Sequence, residues 1–317
     1  MTTSRGLDRR SFLTAAAVGA VSLGWPGRLA WAVAPHAASD RRVRILFYTD
    51  IHARTEWDTP VAMRLAADAM NQHHADLILC GGDLITDGYN GTPDSLAPRW
   101  DAYFESLHHR LVPTPQAMIG NHDLVGVEPP DGAPPEADPR AEFRRRLGLD
   151  RTYRSFDAHG YHIILLDAIE VTRDELKYRG YIDETQRAWL RDDLATVAPE
   201  TPIILLSHMP LLTSFFQRTD TVTAPVPANR GVVNNREVLE LFAGHRLLLV
   251  LQGHLHVNEM LRWGETTFIT GGAVCGKWWR GEWHGTDAGY GLLELDGTGV
   301  EWTYHTYGWF PRRPAGM

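Results

Sequence analysis

Cysteine is scarce in this sequence, because Cys80 and Cys275 are the only two cysteines in 317 residues. They allow one disulfide bridge at most, which excludes a small scaffold held together by disulfides. A long basic block is also missing, and the formal net charge is -8. We therefore expect no broad nucleic-acid-binding face, and an anionic ligand must be attracted by a local site.

Hydrophobic runs long enough to span a bilayer comfortably are missing as well. The apolar stretch at residues 12–25 is rich in Ala and Gly and too short to serve as such a span. It follows Arg9-Arg10 and precedes small residues up to Ala32, so residues 1–32 resemble a twin-arginine signal peptide. This resemblance implies export by the twin-arginine machinery, a periplasmic or secreted location and no transmembrane helix in the mature chain. A retained membrane anchor or a disordered tail is the alternative.

From residue 41 onward, short apolar runs alternate with longer amphipathic segments, as in strands covered by helices. Runs rich in Ile, Leu and Val predict buried strands at residues 43–49, 77–80, 117–119, 163–166, 203–206 and 247–251. Helices are predicted at residues 60–74, 99–109, 184–197 and 235–243, and long loops at residues 125–139 and 213–231. No repeat or linker divides the chain. We therefore predict a lead-in at residues 33–42 and one domain at residues 43–317, with a β-rich C-terminal flap from about residue 260.

Five short polar blocks stand at or just after the ends of apolar runs. They are Asp50-Ile51-His52, Gly81-Gly82-Asp83, Gly120-Asn121-His122-Asp123, Ser207-His208 and Gly253-His254-Leu255-His256. In open α/β sheets, loops at the carboxyl ends of strands converge on the ligand. Each block alone is weak evidence, because an isolated histidine at a strand end is more often structural. The ordered set of five predicts one common site.

The residue types in these blocks suit metal ions. In Asp50-x-His52 and in His254-x-His256, one residue separates the two side chains, so in an extended chain both point to the same side. Carboxylate, imidazole and amide ligands suit Mn, Fe, Co or Zn, and the absence of thiolates argues against a structural zinc site. The glycines fit tight turns where the backbone passes close to the site.

The block order D-x-H, G-D, G-N-H-(D/E), H and G-H-x-H resembles that of the calcineurin-like metallophosphoesterases over residues 43–259. The resemblance implies an α/β fold in which a two-sheet β-sandwich is flanked by helices. It also implies a metal-dependent phosphoric ester hydrolase in which a hydroxide bridging two divalent metal ions attacks the substrate. By the same resemblance, Asp50, His52 and His256 hold the first ion, Asn121, His208 and His254 hold the second, and Asp83 bridges both.

Within this superfamily the local match favours the short bacterial phosphodiesterases that resemble class III cyclic-nucleotide enzymes. Purple acid phosphatases carry a metal-binding tyrosine three residues after the bridging aspartate, and this chain has Thr86 at that position. A tyrosinate-bound ferric ion is therefore not expected.

Catalytic and substrate-binding roles are predicted for residues near the second metal. His122 is not needed as a ligand, so we predict that it contacts the phosphate and assists the leaving oxygen, with Asp123 orienting it. Asn121 and His122 are the predicted substrate contacts, and Arg280 is a further candidate. Arg280 lies in a segment, residues 272–290, that contains three tryptophans. They form either a rim that stacks on a base or sugar or, as we favour, a packed flap over the sheet.

The leading functional hypothesis is an exported phosphodiesterase that acts on a small phosphorylated substrate. Phosphomonoesterase and nucleotide diphosphate hydrolase activities use the same metal chemistry and are the alternatives. A non-catalytic metal-binding protein on the same fold is the hypothesis of another class. Such a protein would be expected to lack a ligand or His122, and the sequence retains all of them.

Overall fold

The computed structural model describes residues 42–130, 132–296 and 299–311. All of them belong to one compact unit, Ala37–Met317. The predicted signal peptide at residues 1–32 and residues 33–41 of the lead-in lie outside the described residues. No helix in the described ranges combines the length and the apolar composition that a membrane crossing requires.

One sheet contains five strands. They are β1 Val43–Tyr48, β2 Leu77–Cys80, β3 Gln116–Ala117, β12 Gly289–Leu295 and β13 Val300–Thr306. The strand order is β13-β12-β1-β2-β3. Strands β1, β2 and β3 are parallel, whereas β12 and β13 form an antiparallel hairpin against β1. The parallel strands therefore place their carboxyl ends at one edge of the sheet.

The other large sheet contains six strands. They are β4 Arg154–Ala158, β5 Tyr161–Leu166, β8 Pro202–Ser207, β9 Arg246–Gln252, β10 Glu259–Trp263 and β11 Thr266–Thr270, in the order β10-β11-β9-β8-β5-β4. The central strands β5, β8, β9 and β11 are parallel, and an antiparallel strand closes each edge. A separate two-stranded ribbon is formed by β6 Ile169–Val171 and β7 Tyr178–Gly180.

The alternation of side chains along the strands divides the core into layers. In β1, Ile45 and Phe47 belong to one apolar cluster, whereas Leu46 and Tyr48 belong to a second. The first cluster also takes residues from β5, β8 and β9, so it fills the space between the two sheets. The second cluster includes residues of the helices. Because successive side chains point to opposite faces, a strand that is buried on both faces has an apolar residue at nearly every position.

Within the described residues, six α-helices flank the sheets. They are α1 Thr59–Asn71, α2 Pro93–Ser106, α3 Ala141–Leu147, α4 Glu184–Leu194, α5 Phe215–Thr219 and α6 Asn235–Glu240. Helix α1 carries Pro60 in its first turn, and its N-cap is Asp58. Helix α2 begins six residues before the predicted start at Arg99. A capping box between Thr92 and Ser95 starts this helix, and Pro98 is accommodated inside it.

The predicted α/β fold with two sheets and flanking helices is confirmed. All six predicted strands form, with shifted ends in β3, which covers Gln116–Ala117. The sequence analysis missed β4, α3 and the β6–β7 ribbon, and it assigned α5 to the loop at residues 213–231. Both cysteines are buried free thiols, so no disulfide stabilises the fold.

Candidate metal centre

The seven predicted metal ligands lie just beyond the ends of five strands. The first sheet supplies Asp50 and His52 after β1, Asp83 after β2 and Asn121 after β3, and the second supplies His208 after β8 and His254 and His256 after β9. All seven are buried. The candidate site therefore forms where the carboxyl ends of strands from both sheets meet.

Five of these residues have an unusual backbone conformation. Left-handed φ angles occur at Asp50 (53°), His52 (46°), Asp83 (55°), His254 (70°) and His256 (58°). Non-glycine residues with positive φ are uncommon and concentrate at functional sites, because the surrounding structure must hold them. Here the loops hold each other: the backbone N–H of Asp50 donates to Gly82 O at 3.0 Å, and that of Gly253 donates to His208 O at 2.9 Å.

Gly120 is needed because two loops approach closely. A Cβ atom at this position would lie 2.2 Å from both the backbone nitrogen and Oδ1 of Asp83. This contact agrees with the expectation that glycines let the backbone pass close to the site.

Asp83 lies between histidines from the two sheets. Its Oδ1 accepts a hydrogen bond of 2.7 Å from the backbone N–H of His122. Its Oδ2 lies 3.2 Å from His208 Nε2 and 3.5 Å from His52 Nε2. One carboxylate oxygen thus faces both halves of the site, as a bridging ligand requires.

Asp50 and His52 from the first sheet converge with His256 from the second. Asp50 Oδ1 lies 3.3 Å from His256 Nε2 and 3.8 Å from His52 Nε2, and the two Nε2 atoms are 3.1 Å apart. His256 Nδ1 donates a hydrogen bond of 2.7 Å to Gly276 O. This bond fixes the ring with Nε2 towards the carboxylate, as outer partners of metal-binding histidines commonly do.

Asn121 and His208 meet on the other side of Asp83. His208 Nδ1 donates to Gly81 O at 2.7 Å, and its Nε2 lies 3.1 Å from Asn121 Oδ1. The Asn121 amide donates from Nδ2 to the Tyr178 hydroxyl at 3.0 Å. The tyrosine therefore supports the orientation in which Oδ1 of Asn121 faces the candidate site.

The electrostatics of the site are dominated by two buried carboxylates. In the described part of the chain, the ion pairs of Asp50 and Asp83 are all with histidines. Burial opposes the charge on Asp83, but His208 and His122 outweigh it and hold the pKa of this carboxyl well below its usual value. Burial also opposes the charged form of His208, but Asp83 raises the pKa of this histidine to about 9. Protonated imidazole thus compensates the carboxylates, a role that a divalent cation fills more strongly.

The donor set fits metal ions. Ligand atoms lie within 4.8 Å of one another in three groups: His52, Asp83 and His122; Asp83, His208 and His254; and His52, His256 and Cys275. His52 Nδ1 is a buried nitrogen without a hydrogen-bond partner among the described atoms. The two groups that share Asp83 offer nitrogen and oxygen donors, which suits two neighbouring ions on either end of one carboxylate ligand.

His122 lies beside the candidate ligands. Its ring is 4.7 Å from the His52 ring between centroids, in an edge-on contact. Its Nδ1 is buried and has no hydrogen-bond partner within the described residues. Burial lowers the pKa of His122, so its imidazole is neutral near pH 7 in the substrate-free protein.

Asp123 differs from its predicted role. Its Oδ1 accepts hydrogen bonds from the backbone N–H groups of Leu84 at 2.8 Å and Ile85 at 3.2 Å, and its Oδ2 accepts from that of Gly120 at 2.8 Å. Because these donors engage both oxygens, Asp123 anchors the loops after β2 and β3 and does not orient the His122 ring by a hydrogen bond.

The flap at residues 272–290 contacts the site through its tryptophans. The Trp278 ring lies 4.0 Å from the His52 ring between centroids, and the Trp279 indole N–H donates to His52 O at 3.0 Å. Arg280 is exposed, and no hydrogen bond or ion pair joins its side chain to the ligands in the described ranges. The predicted substrate contact by Arg280 therefore stays a prediction.

Further contacts of the site were missed by the sequence analysis. His254 Nε2 donates to Asn229 O at 2.9 Å, which leaves Nδ1 as the nitrogen with an unshared electron pair. Tyr178 contacts Asn121 from the β6–β7 ribbon. A backbone carbonyl gives no signal in a sequence, and Tyr178 stands in an unremarkable polar segment.

The family follows from a comparison with known sequences. The family model of the calcineurin-like phosphoesterases matches residues 43–258. The chain belongs to this family. The match begins at β1 and ends just beyond the last predicted ligand, so it covers all five polar blocks. No curated protein sequence matches the chain.

Solved structures show the same fold at low sequence identity. A dimetal phosphatase from Danio rerio is 15% identical with a TM-score of 0.59, and the match covers 84% of this chain and 99% of that one. The purple acid phosphatase PPD1 from yellow lupin (Lupinus luteus) is 14% identical with a TM-score of 0.55, covering 86% and 53%. GAP50, the anchor in the inner membrane complex of Plasmodium, is 14% identical with a TM-score of 0.51, covering 84% and 85%.

The phosphoesterase family and the buried clusters make this chain a metal-dependent phosphoester hydrolase. The family typically binds a dinuclear metal centre, and a phosphoesterase acts on a phosphorylated substrate. Thr86, which stands where the purple enzymes have a tyrosine, is buried and accepts a hydrogen bond of 3.3 Å from Arg54 Nη2 through its hydroxyl.

Proposed function

We propose that the protein is an exported phosphodiesterase of the class III cyclic-nucleotide-phosphodiesterase-like branch, with two divalent ions drawn from Mn, Fe, Co or Zn. The observation that carries the proposal is the position of Asp83 Oδ2, 3.2 Å from His208 and 3.5 Å from His52. The carboxylate would bridge one ion held with Asp50, His52 and His256 and another held with Asn121, His208 and His254. Two such ions would lower the pKa of a bound water and neutralise charge on the phosphoryl oxygens.

The side chains have separate tasks in this proposal. The ligands orient the reacting groups, because their own backbone and hydrogen bonds are fixed before substrate arrives. His122 contacts the phosphate and donates a proton to the leaving oxygen. The negative charge of a bound phosphate raises the pKa of His122 again, which favours the protonated form that donation requires.

The charge of the site attracts a phosphoester. Two divalent ions, the two aspartates and one hydroxide leave a net charge of about +1 in the site. A diester carries one negative charge at neutral pH, whereas a monoester carries about two. A site with excess positive charge attracts both, so the preference for a diester rests on the local match of the polar blocks to the phosphodiesterase branch. Monoesterase or diphosphate hydrolase activity is the alternative.

The test is a hydrolysis panel with the protein loaded in turn with Mn, Fe, Co and Zn. We expect a higher kcat/KM for bis(p-nitrophenyl) phosphate than for p-nitrophenyl phosphate or a nucleoside diphosphate. Asp83→Asn should lose nearly all activity and part of its bound metal, because the carboxylate contributes charge and geometry to both ions.

Two outcomes would overturn parts of this proposal. Faster hydrolysis of the monoester or the diphosphate would replace the diester assignment by that activity. Full metal loading without hydrolysis of any ester would identify a non-catalytic metal-binding protein on this fold.

Export by the twin-arginine machinery is part of the proposal. It is supported by Arg9-Arg10 before an apolar stretch that ends near small residues. Changing Arg9 and Arg10 together to Lys should retain the protein in the cytoplasm, measured by fractionation and immunoblot, whereas Arg28→Lys serves as the matched control. Normal export of the double variant would exclude this route.

A further inference from the structure

The flap at residues 272–290 is attached to the loop that carries Asp50. The backbone N–H of Val274 donates to Thr49 O at 3.0 Å, and that of Cys275 donates to Asp50 O at 3.2 Å. Gly276 O accepts the hydrogen bond from His256 Nδ1. These bonds make the flap a fixed part of the candidate metal centre.

Two successive tryptophans of the flap contact His52, one at its backbone carbonyl and the other at its ring. Trp279 is buried and its indole N–H binds the His52 carbonyl at 3.0 Å. Trp278 is half-buried, and its ring lies against the His52 ring at 4.0 Å with an interplanar angle of 35°. Both residues have positive φ, 52° at Trp278 and 63° at Trp279. Such a conformation is unfavourable for bulky side chains and persists only where surrounding contacts enforce it.

The Trp278 indole reaches residues from three of the polar blocks. Besides His52, it lies 4.9 Å from the His122 ring and 5.4 Å from the His256 ring between centroids. It therefore stands beside both a candidate ligand pair and the residue assigned to the phosphate. A ring attached to a phosphate bound at His122 is therefore within reach of this indole.

We propose that Trp278 is a specificity-determining wall that stacks on an aromatic ring attached to the substrate phosphate. The proposal rests on the proposed phosphoesterase site, because the ring is placed relative to that site. Its ligand class is a phosphoester with a planar ring near the phosphate, supplied either by a nucleobase or by a simple aryl group. An indole offers a large flat face to such rings, and stacking tolerates different ring types.

The experiment measures equilibrium binding by calorimetry to the metal-loaded protein. The probes are adenosine 5′-monophosphate with ribose 5-phosphate, phenyl phosphate with methyl phosphate, and inorganic phosphate. In each pair the phosphate is retained and the ring is removed. The wild type should prefer the aromatic member of at least one pair, and Trp278→Ala should lower that preference about 5- to 100-fold. Trp278→Phe should keep part of the preference.

Trp283→Ala is the matched control. This tryptophan belongs to the same flap, but its ring contacts Lys277 at 4.7 Å and His284 at 4.3 Å. It should retain the preference of the wild type. Metal content and melting temperature are measured for every variant.

The outcomes separate the stacking role from packing and from the proposed function. Tighter binding of both aromatic probes than of their partners without a ring would show that Trp278 stacks on aromatic rings in general. Tighter binding of the nucleotide alone would show that it stacks on a nucleobase. Equal losses for aromatic and aliphatic probes, or loss of metal in Trp278→Phe, would overturn the inference in favour of a packing role. If the metal-loaded wild type does not bind inorganic phosphate, the proposed phosphoesterase site fails, whatever the tryptophan does.

Discussion

At the residue scale, the sharpest question is what the His122 ring does. It neighbours Asn121 along the chain, its ring contacts His52, and its Nδ1 has no hydrogen-bond partner within the described residues. His122→Asn should leave metal content nearly unchanged, and it should lower kcat/KM by about 10²- to 10⁴-fold for esters with basic leaving groups. The loss should be smaller for nitrophenyl esters, because nitrophenolate leaves without a proton.

The measurement is kcat/KM over a series of leaving groups of different basicity, with metal analysis in parallel. An equal loss across the series would favour simple phosphate binding over proton donation. Loss of metal in the variant would show that the histidine is itself a ligand.

Close packing at Gly120 gives a second prediction at this scale. Gly120→Ala would bring a Cβ to 2.2 Å from Asp83 Oδ1, so the two loops must separate. We expect destabilisation of about 1–3 kcal/mol, as for other overpacked sites, together with weaker metal binding. Urea unfolding and metal analysis are the measurements.

The control is Gly299→Ala, because among the described residues a Cβ there would meet Asp296 Oδ1 alone, at 4.0 Å. Equal effects of the two substitutions would contradict the steric explanation at Gly120.

At the element scale, His162 joins three elements of the second sheet region. From β5, its Nδ1 lies 2.7 Å from Asp157 on β4, and its Nε2 lies 2.9 Å from Asp193 on α4. Both nitrogens can donate only in the protonated ring. Burial opposes the charge, but the hydrogen bonds and charges of Asp193 and Asp157 outweigh it and raise the pKa of His162.

A raised pKa in the folded state makes stability depend on pH. The contribution of His162 is fully present below the unfolded value of about 6.5 and is lost as pH rises through the folded value. His162→Gln should therefore cost roughly 1–3 kcal/mol near pH 6 and less near pH 9, measured by urea unfolding. Asp193→Asn should follow the same pattern. A cost that does not change with pH would indicate packing and not charge.

At the scale of the whole molecule, the buried metal ligands couple metal binding to folding. Asp50, Asp83 and the histidines around them come from both sheets, so the complete donor set exists only in the folded chain. A metal present at 1,000 times its dissociation constant stabilises the fold by about 4 kcal/mol. Removing it with a chelator should lower the Tm by roughly 8–16 °C.

Calorimetry before and after chelation, with metal analysis of both samples, measures this effect. Asp83→Asn should show a smaller difference, because it binds less metal. An unchanged Tm after complete metal removal would mean that the cluster is stable without cations.

Six strands and the five polar blocks of the candidate site could be predicted from the sequence alone. The apolar runs predicted the six strands because strands buried on both faces must be apolar on both, and their ends marked the five polar blocks. Spacing and residue type singled out the blocks as a metal site, since Asp50-x-His52 and His254-x-His256 each place two donors on one side of an extended chain. The resemblance to the family then assigned the seven ligands within these blocks. These features are local, so a linear pattern records them.

The tertiary structure decided which distant residues meet. The sequence predicted that Asp123 orients His122. In the structure the loop after β2 packs against Asp123, and its carboxylate accepts hydrogen bonds from backbone N–H groups of that loop. Tyr178, Asn229 and the flap tryptophans reach the site from segments far along the chain. Sequence spacing carries no information on such contacts, because they depend on how two sheets pack and on backbone carbonyls that every residue possesses.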